Sequence, residues 1–169
     1  MEERSILLDP IKCTGCRDCE TACSVKRTGQ DSHLLSCIRI VNDDQVKGFF
    51  LPVLCQHCSE PPCRAVCPQE AIYRDPQQNR VVIDRRRCVG CKMCFSACPF
   101  GAMNFDPIRS TAFKCDLCGG DPACIRVCEA GALRFVRSDQ MQVPQIETAA
   151  CKFLGAVVGS KPRTSNINC

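Results

Sequence analysis

Cysteine thiols, spaced to hold inorganic clusters, are the first chemistry this sequence offers. Cys88, Cys91, Cys94 and Cys98 stand at i, i+3, i+6 and i+10, and Pro99 follows the last of them. On a looped backbone the first three thiolates can wrap three irons of one four-iron, four-sulfide cubane. The fourth sits past the loop, where the chain turns helical, and points away to a second cluster. Gly90 permits the tight turn that brings backbone close to such a cluster. One run of this kind predicts a partner run, and the chain supplies three more: Cys13, Cys16, Cys19 and Cys23; Cys55, Cys58, Cys63 and Cys67, followed by Pro68; and Cys115, Cys118, Cys124 and Cys128. The middle gap is widened in the second run, which holds Pro61-Pro62, and in the fourth, which holds Gly119-Gly120-Asp121-Pro122. Zinc is the rival occupant. A zinc ribbon, however, uses two Cys-x2-Cys knuckles about 15–20 residues apart and needs neither a third thiolate three residues on nor a fourth beyond it.

The elements around the runs are short. Residues 6–12 read as a strand entering the first run, and residues 18–27 as a helix ended near Gly29. Residues 36–41 and 49–54 flank Asn42-Asp43-Asp44 and Gly48 as a hairpin that delivers the second run. Pro62 opens a one-turn helix carrying Cys63 toward Cys67. Residues 71–73 and 81–83 form another hairpin across Asp75 to Asn79, leading into the Cys88 run. Residues 102–105 are a strand stopped by Asp106-Pro107, and residues 133–136 close the set. Strand, cysteine loop, short helix and strand thus recur four times, which makes the chain an internal repeat. After Arg137 no run remains. Residues 147–158 place Ala150, Phe153, Leu154, Val157 and Val158 on one side of a helix, and a Gly-Ser-Lys-Pro-Arg-Thr-Ser stretch follows.

Composition bounds the rest. Cysteine accounts for 19 of 169 residues, against no Trp, one Tyr and eight Phe. So few large apolar side chains make a thin core, and metal ligation coupled to folding would supply what is missing. Residues 1–10 hold no apolar core of a signal peptide, and the longest apolar stretch, near residues 153–158, is too short to span a bilayer. The expectation is a cytoplasmic protein without membrane insertion, in a reducing compartment where dense cysteine means metal rather than disulfide. The formal charge is +4. Lys12, Lys92, Lys114, Arg126 and Arg85–Arg87 lie beside the runs and read as offsets to cluster charge or as a solvated face. Three arginines without interleaved aromatics do not make a nucleic-acid site. No Ser/His/Asp set, phosphate loop or carboxylate pair stands out, so no catalytic site is expected.

The ordered runs, with the second and fourth expanded, resemble the four-cluster ferredoxin-like subunit of molybdenum and tungsten oxidoreductases. That family includes the iron–sulfur subunits of dimethyl sulfoxide reductase, formate dehydrogenase and nitrate reductase, and the likeness covers about residues 5–136. It implies an α+β fold of two ferredoxin-like lobes, residues 1–48 with 108–136 forming one and residues 49–107 inserted as the other, plus a tail over 137–169. It also implies four [4Fe–4S] clusters: A on Cys13, Cys16, Cys19 and Cys128; B on Cys23, Cys115, Cys118 and Cys124; C on Cys55, Cys58, Cys63 and Cys98; D on Cys67, Cys88, Cys91 and Cys94. The implied role is electron transfer along a wire A, B, C, D between a molybdo- or tungstopterin catalytic subunit, such as a tungsten aldehyde oxidoreductase, and a second partner such as a flavin/NAD subunit. A free polyferredoxin and a hydrogenase subunit are the alternatives. Self-association end to end, and a tail that docks a partner or covers the fold, complete the expectations. Cys37, Cys151 and Cys169 are spare, Cys37 as a small buried residue. His57 reads as a donor to cluster sulfur or as a solvent-facing ring, with the solvent-facing reading preferred, and His33 has no site around it.

Overall fold

Short segments between cysteine runs leave no room for long elements, and the fold is built accordingly. The computed structural model describes residues 4–42 and 48–137. The strands are β1 (Arg4–Leu8), β2 (Arg39–Asn42), β3 (Phe50–Val53), β4 (Ile72–Asp75), β5 (Arg80–Ile83), β6 (Asn104–Asp106), β7 (Thr111–Phe113) and β8 (Leu133–Arg137). The α-helices are α1 (Asp18–Thr28), α2 (Pro62–Ala65), α3 (Met93–Ala97) and α4 (Ala123–Arg126). The result is a mixed α and β chain of small pieces. The helix expected over 147–158, with Cys151, Cys169 and the rest of the tail, lies outside the described residues.

The strands pair antiparallel as four two-stranded ribbons: β1 with β8, β2 with β3, β4 with β5, and β6 with β7. Three are local hairpins. The fourth is not: Leu8 faces Leu133 and Arg4 faces Arg137, so the ladder ties the start of the described chain to its end. Pro52 sits in β3 opposite Ile40, which a two-stranded ribbon tolerates because both of its strands are edges.

Local chemistry sets the boundaries. β1 stops at Leu8, short of the expected residue 12, because Asp9 turns the chain: its side chain accepts the Ile11 N–H at 3.2 Å and its carbonyl accepts the Lys12 N–H at 3.2 Å. α1 carries Asp18 and Glu20 in its first turn and Lys26 and Arg27 in its last, the order that complements the helix dipole. It ends where Gly29 turns left-handed and returns its N–H to Val25 at 2.8 Å. Pro62 opens α2 as the sequence implied. β7 is an element the sequence reading did not include. Asp106-Pro107 ends β6, as read, and also turns the chain back into β7, because the Asp106 carboxylate accepts the N–H groups of Ile108 and Arg109, both at 3.1 Å.

Two apolar clusters form the interior. The first gathers Ile6, Ile38, Ile40, Leu54, Phe113, Leu117 and Leu133 around Cys19, Cys23, Cys37, Cys115 and Cys124. The second gathers Ile72, Val81, Met103 and Ala112 around Cys63 and Cys94. α1 packs on α4, and α2 on α3. Cysteines thus occupy core positions that large side chains fill in ordinary domains.

Candidate metal centres

Each cysteine loop is shaped by backbone in the left-handed region. Two residues after the first cysteine of each run, φ is positive: Gly15 at 76°, His57 at 48°, Gly90 at 69° and Leu117 at 57°. In the two unexpanded runs a second left-handed residue, Arg17 at 67° or Lys92 at 63°, launches the helix that carries the third cysteine. Only Gly fits Gly15 and Gly90, since a Cβ would run into the Phe50 ring at the first and into the Ser110 carbonyl oxygen at the second.

The β1–β8 ladder and the α1–α4 packing bring Cys128 beside the first run, so that Cys13, Cys16, Cys19 and Cys128 line one open cavity. Burial, then Glu20, then Cys16, Cys13 and Cys128 push the Cys19 thiol up to about 12. Cys23, Cys115, Cys118 and Cys124 line a second, narrower cavity together with Cys37. There burial, followed by Cys23, Cys118 and Cys19, pushes Cys124 up to about 12. Cys23 departs from the others. Hydrogen bonding from the Cys37 side chain, against the opposing effect of burial and with help from the Cys37 N–H at 3.3 Å, pulls it down to about 6. Cys55, Cys58, Cys63 and Cys98 line a third cavity, drawn from the second and third runs. Cys63 is raised by burial, while Lys114 opposes that and Cys55 and Cys98 add to it. Cys67, Cys88 and Cys94 pack in the second apolar cluster, Cys91 is exposed, and burial, with Cys88, Cys63 and Cys91 nearby, raises Cys94 to about 11.

This donor set fits a cluster with a positive inorganic core. Crowded, half-buried thiols resist ionising next to one another, and four can be thiolates together only against a polycation. Among the described residues no three His, Cys, Asp or Glu side chains converge on a single ion. A cubane instead takes its four thiolates on four different irons, so its ligands stand around a box. Backbone N–H groups already aim at the sulfurs: His57 at Cys55 (3.4 Å), Ala71 at Cys67 (3.3 Å), Ala112 at Cys88 (3.4 Å) and Leu117 at Cys115 (3.4 Å). Such bonds are among the factors that set cluster potential.

Several polar residues stand differently from the sequence reading. His57 does not face solvent. It is 7% exposed, and its Nδ1 accepts the Val81 N–H at 3.0 Å, because the hairpin of β4 and β5 folds over the second run. Burial, then Lys114, Arg74 and Arg80, push it down to about 3. Lys114 is no surface charge either. It is 5% exposed and donates to the carbonyls of Val81 and Cys115. Its place between Phe113 and Cys115, both buried, was the one sequence signal for this. Glu20, 1% exposed, was missed altogether. Its carboxylate accepts the Ile40 N–H at 2.6 Å and meets His33 Nδ1 at 2.7 Å, so His33 has a partner after all. Cys37 is buried, as expected.

Residues 46–138 match the family described as a 4Fe-4S dicluster domain. The chain is 38% identical over 151 residues to YsaA of Escherichia coli (strain K12), provisionally named an electron transport protein, covering 82% of this chain and 93% of that one. It is 35% identical over 150 residues to the thiosulfate reductase electron transfer subunit PhsB of Salmonella typhi, covering 82% and 78%. It is 37% identical over 134 residues to the polyferredoxin-like subunit of an aliphatic sulfonate oxidoreductase of Pyrococcus furiosus, covering 78% and 76%.

Proposed function

The chain belongs to the family of 4Fe-4S dicluster proteins, and from that premise we propose that it is the wire of an oxidoreductase complex: an electron-transfer subunit with four [4Fe–4S] clusters. Like the thiosulfate reductase electron transfer subunit it resembles, it serves as a subunit that passes electrons, and it performs no substrate chemistry of its own. The proposed ligand sets are Cys13, Cys16, Cys19 and Cys128; Cys23, Cys115, Cys118 and Cys124; Cys55, Cys58, Cys63 and Cys98; and Cys67, Cys88, Cys91 and Cys94. Bound there, the clusters would supply one-electron donors and acceptors. The first two sets belong to one lobe and the last two to a second lobe inserted in it. The catalytic partner is a molybdo- or tungstopterin subunit, and a flavin subunit stands at the other end.

One observation carries this reading. Among the described cysteines only Cys16 and Cys91 are exposed, and they fall in the first and last sets, where a wire needs its ends. Val89 and Met93 flank Cys91, and Ile11 lies two residues before Cys13; all three are exposed apolar side chains of the kind that subunit contacts cover. No helix among the described residues is long and apolar enough to cross a membrane.

The test is composition and company. Protein purified anaerobically from its native cells should be brown, with about 16 iron and 16 sulfide per chain, and should come with a pterin-bearing subunit. Zinc in place of iron would overturn the cofactor, and a lone species of this mass would favour the free polyferredoxin. Co-purification with a hydrogenase would reassign the partner.

A further inference from the structure

Cys55, Cys58, Cys63 and Cys98 share their cavity with three polar side chains that ligation does not use, Gln56, His57 and Lys114, and of these His57 and Lys114 are buried. One residue of β5 holds both. The Val81 N–H donates to His57 Nδ1 at 3.0 Å, and the Val81 carbonyl accepts from Lys114 Nζ. Val81 is 1% exposed, so this anchor lies inside the protein. Because Nδ1 accepts, the ring proton resides on Nε2. Nε2 is buried and has no hydrogen-bond partner within the chain. A buried N–H left without an acceptor is a standing cost, and the acceptors missing from this cavity are the sulfurs of a cluster. Lys114 also donates to the Cys115 carbonyl at 3.0 Å, so its ammonium stands between this set of cysteines and the one that includes Cys115. The set of Cys13, Cys16, Cys19 and Cys128 has the opposite neighbour, the buried carboxylate of Glu20.

We propose that His57 and Lys114 together raise the reduction potential of the cluster held by Cys55, Cys58, Cys63 and Cys98, His57 by donating Nε2–H to a sulfur and Lys114 by its charge. The inference rests on the four-cluster reading above. Reduction adds one negative charge, and a fixed cation and an N–H donor in a low-dielectric cavity both favour the reduced form. The two residues touch no substrate. They are positioning residues for one redox centre, placed where the two apolar clusters meet.

The experiment is a potentiometric titration of the holoprotein followed by electron paramagnetic resonance. Cys98→Ala identifies the signal that belongs to this set. His57→Leu should lower the midpoint of that signal and no other, and Lys114→Met should lower it together with that of the cluster on Cys23, Cys115, Cys118 and Cys124, which the same ammonium borders. At the wild-type midpoint the reduced-to-oxidised ratio should fall about tenfold, which is about 59 mV for one electron. His57→Gln, which keeps one acceptor and one donor, and Lys114→Arg, which keeps the charge, should restore it. His57 sits at φ 48°, but Leu and Gln share that strain, so their difference isolates the hydrogen bond. Unchanged midpoints at full iron content overturn the inference, as does a Lys114→Met shift that spares this cluster, or Gln behaving as Leu. A measurement on the unaltered protein stands even if a variant does not fold. With isotopically labelled histidine, spin-echo modulation should reveal one weakly coupled nitrogen on that cluster, and its absence overturns the role of His57. Wild-type protein with fewer than four clusters would count against the parent reading instead, whatever the variants do.

Discussion

Gly90→Ala tests whether the cysteine loops depend on close backbone approach. Gly90 has φ of 69°, and a Cβ there would strike the carbonyl oxygen of Ser110 in the turn between β6 and β7. That oxygen cannot swing aside freely. Asp106 pins the turn through the N–H groups of Ile108 and Arg109, and Ser110 is itself left-handed at φ 50°. Left-handed backbone costs alanine about 1–2 kcal/mol, and overpacking against a fixed group adds about 1–3 kcal/mol. Gly29 is the internal control. Its φ is 74° and no atom lies within 4 Å of an added Cβ, so Gly29→Ala should lose only about 1–2 kcal/mol. The difference of about 1–3 kcal/mol corresponds to about 5- to 150-fold in an opening equilibrium, at about 1.4 kcal/mol per factor of ten. Unfolding of a cluster protein is not a reversible two-state process, so the assay is the rate of iron release to a chelator under anaerobic conditions at one temperature. Gly90→Ala should release iron faster than Gly29→Ala by that factor. Equal rates would refute the argument, since the two variants share the φ penalty and only Gly90→Ala adds the collision.

Two further outcomes follow from the cavities. Cys13→Ala and Cys128→Ala should remove the same paramagnetic signal, because both residues line one cavity; loss of different signals would break the proposed set. Cys37→Ala should leave the iron count unchanged, since it removes the thiol's hydrogen bond to Cys23 but keeps the Cys37 N–H on Cys23 Sγ, and iron loss would promote Cys37 to a ligand.

How much of this was legible depended on the reach of each interaction. The loops were legible because the cysteine spacing, Gly15 and Gly90 are local facts. The end of α1 was legible because Gly29 stands where the chain must turn left-handed, and the start of α2 because Pro62 favours a first helical turn. Asp106-Pro107 was local too and marked the end of β6, but the return into β7 needed the pairing of the two strands, which the pair alone does not show. Which cysteines share a cavity is not local at all. Nothing near Cys128 says that it will lie beside Cys13, and it does so through the β1–β8 ladder. The burial of His57 depends on Val81, 24 residues away, and that of Lys114 on the same residue, 33 away. Neither partner shows in a window around its motif.

Because β8 closes on β1, a chain emerging from the ribosome cannot make that ladder until residue 137 is out. At about 5–20 residues per second, the roughly 130 residues from β1 onward take about 6–26 s. During that interval Cys13, Cys16 and Cys19 wait without Cys128, while the local hairpins β2–β3, β4–β5 and β6–β7 can already form. Completion of the cavity lined by Cys13, Cys16, Cys19 and Cys128 is therefore set late by topology, after the local hairpins. A chain cut short before residue 128 would lack the fourth cysteine of that cavity and leave Cys13, Cys16 and Cys19 as an unfinished cup.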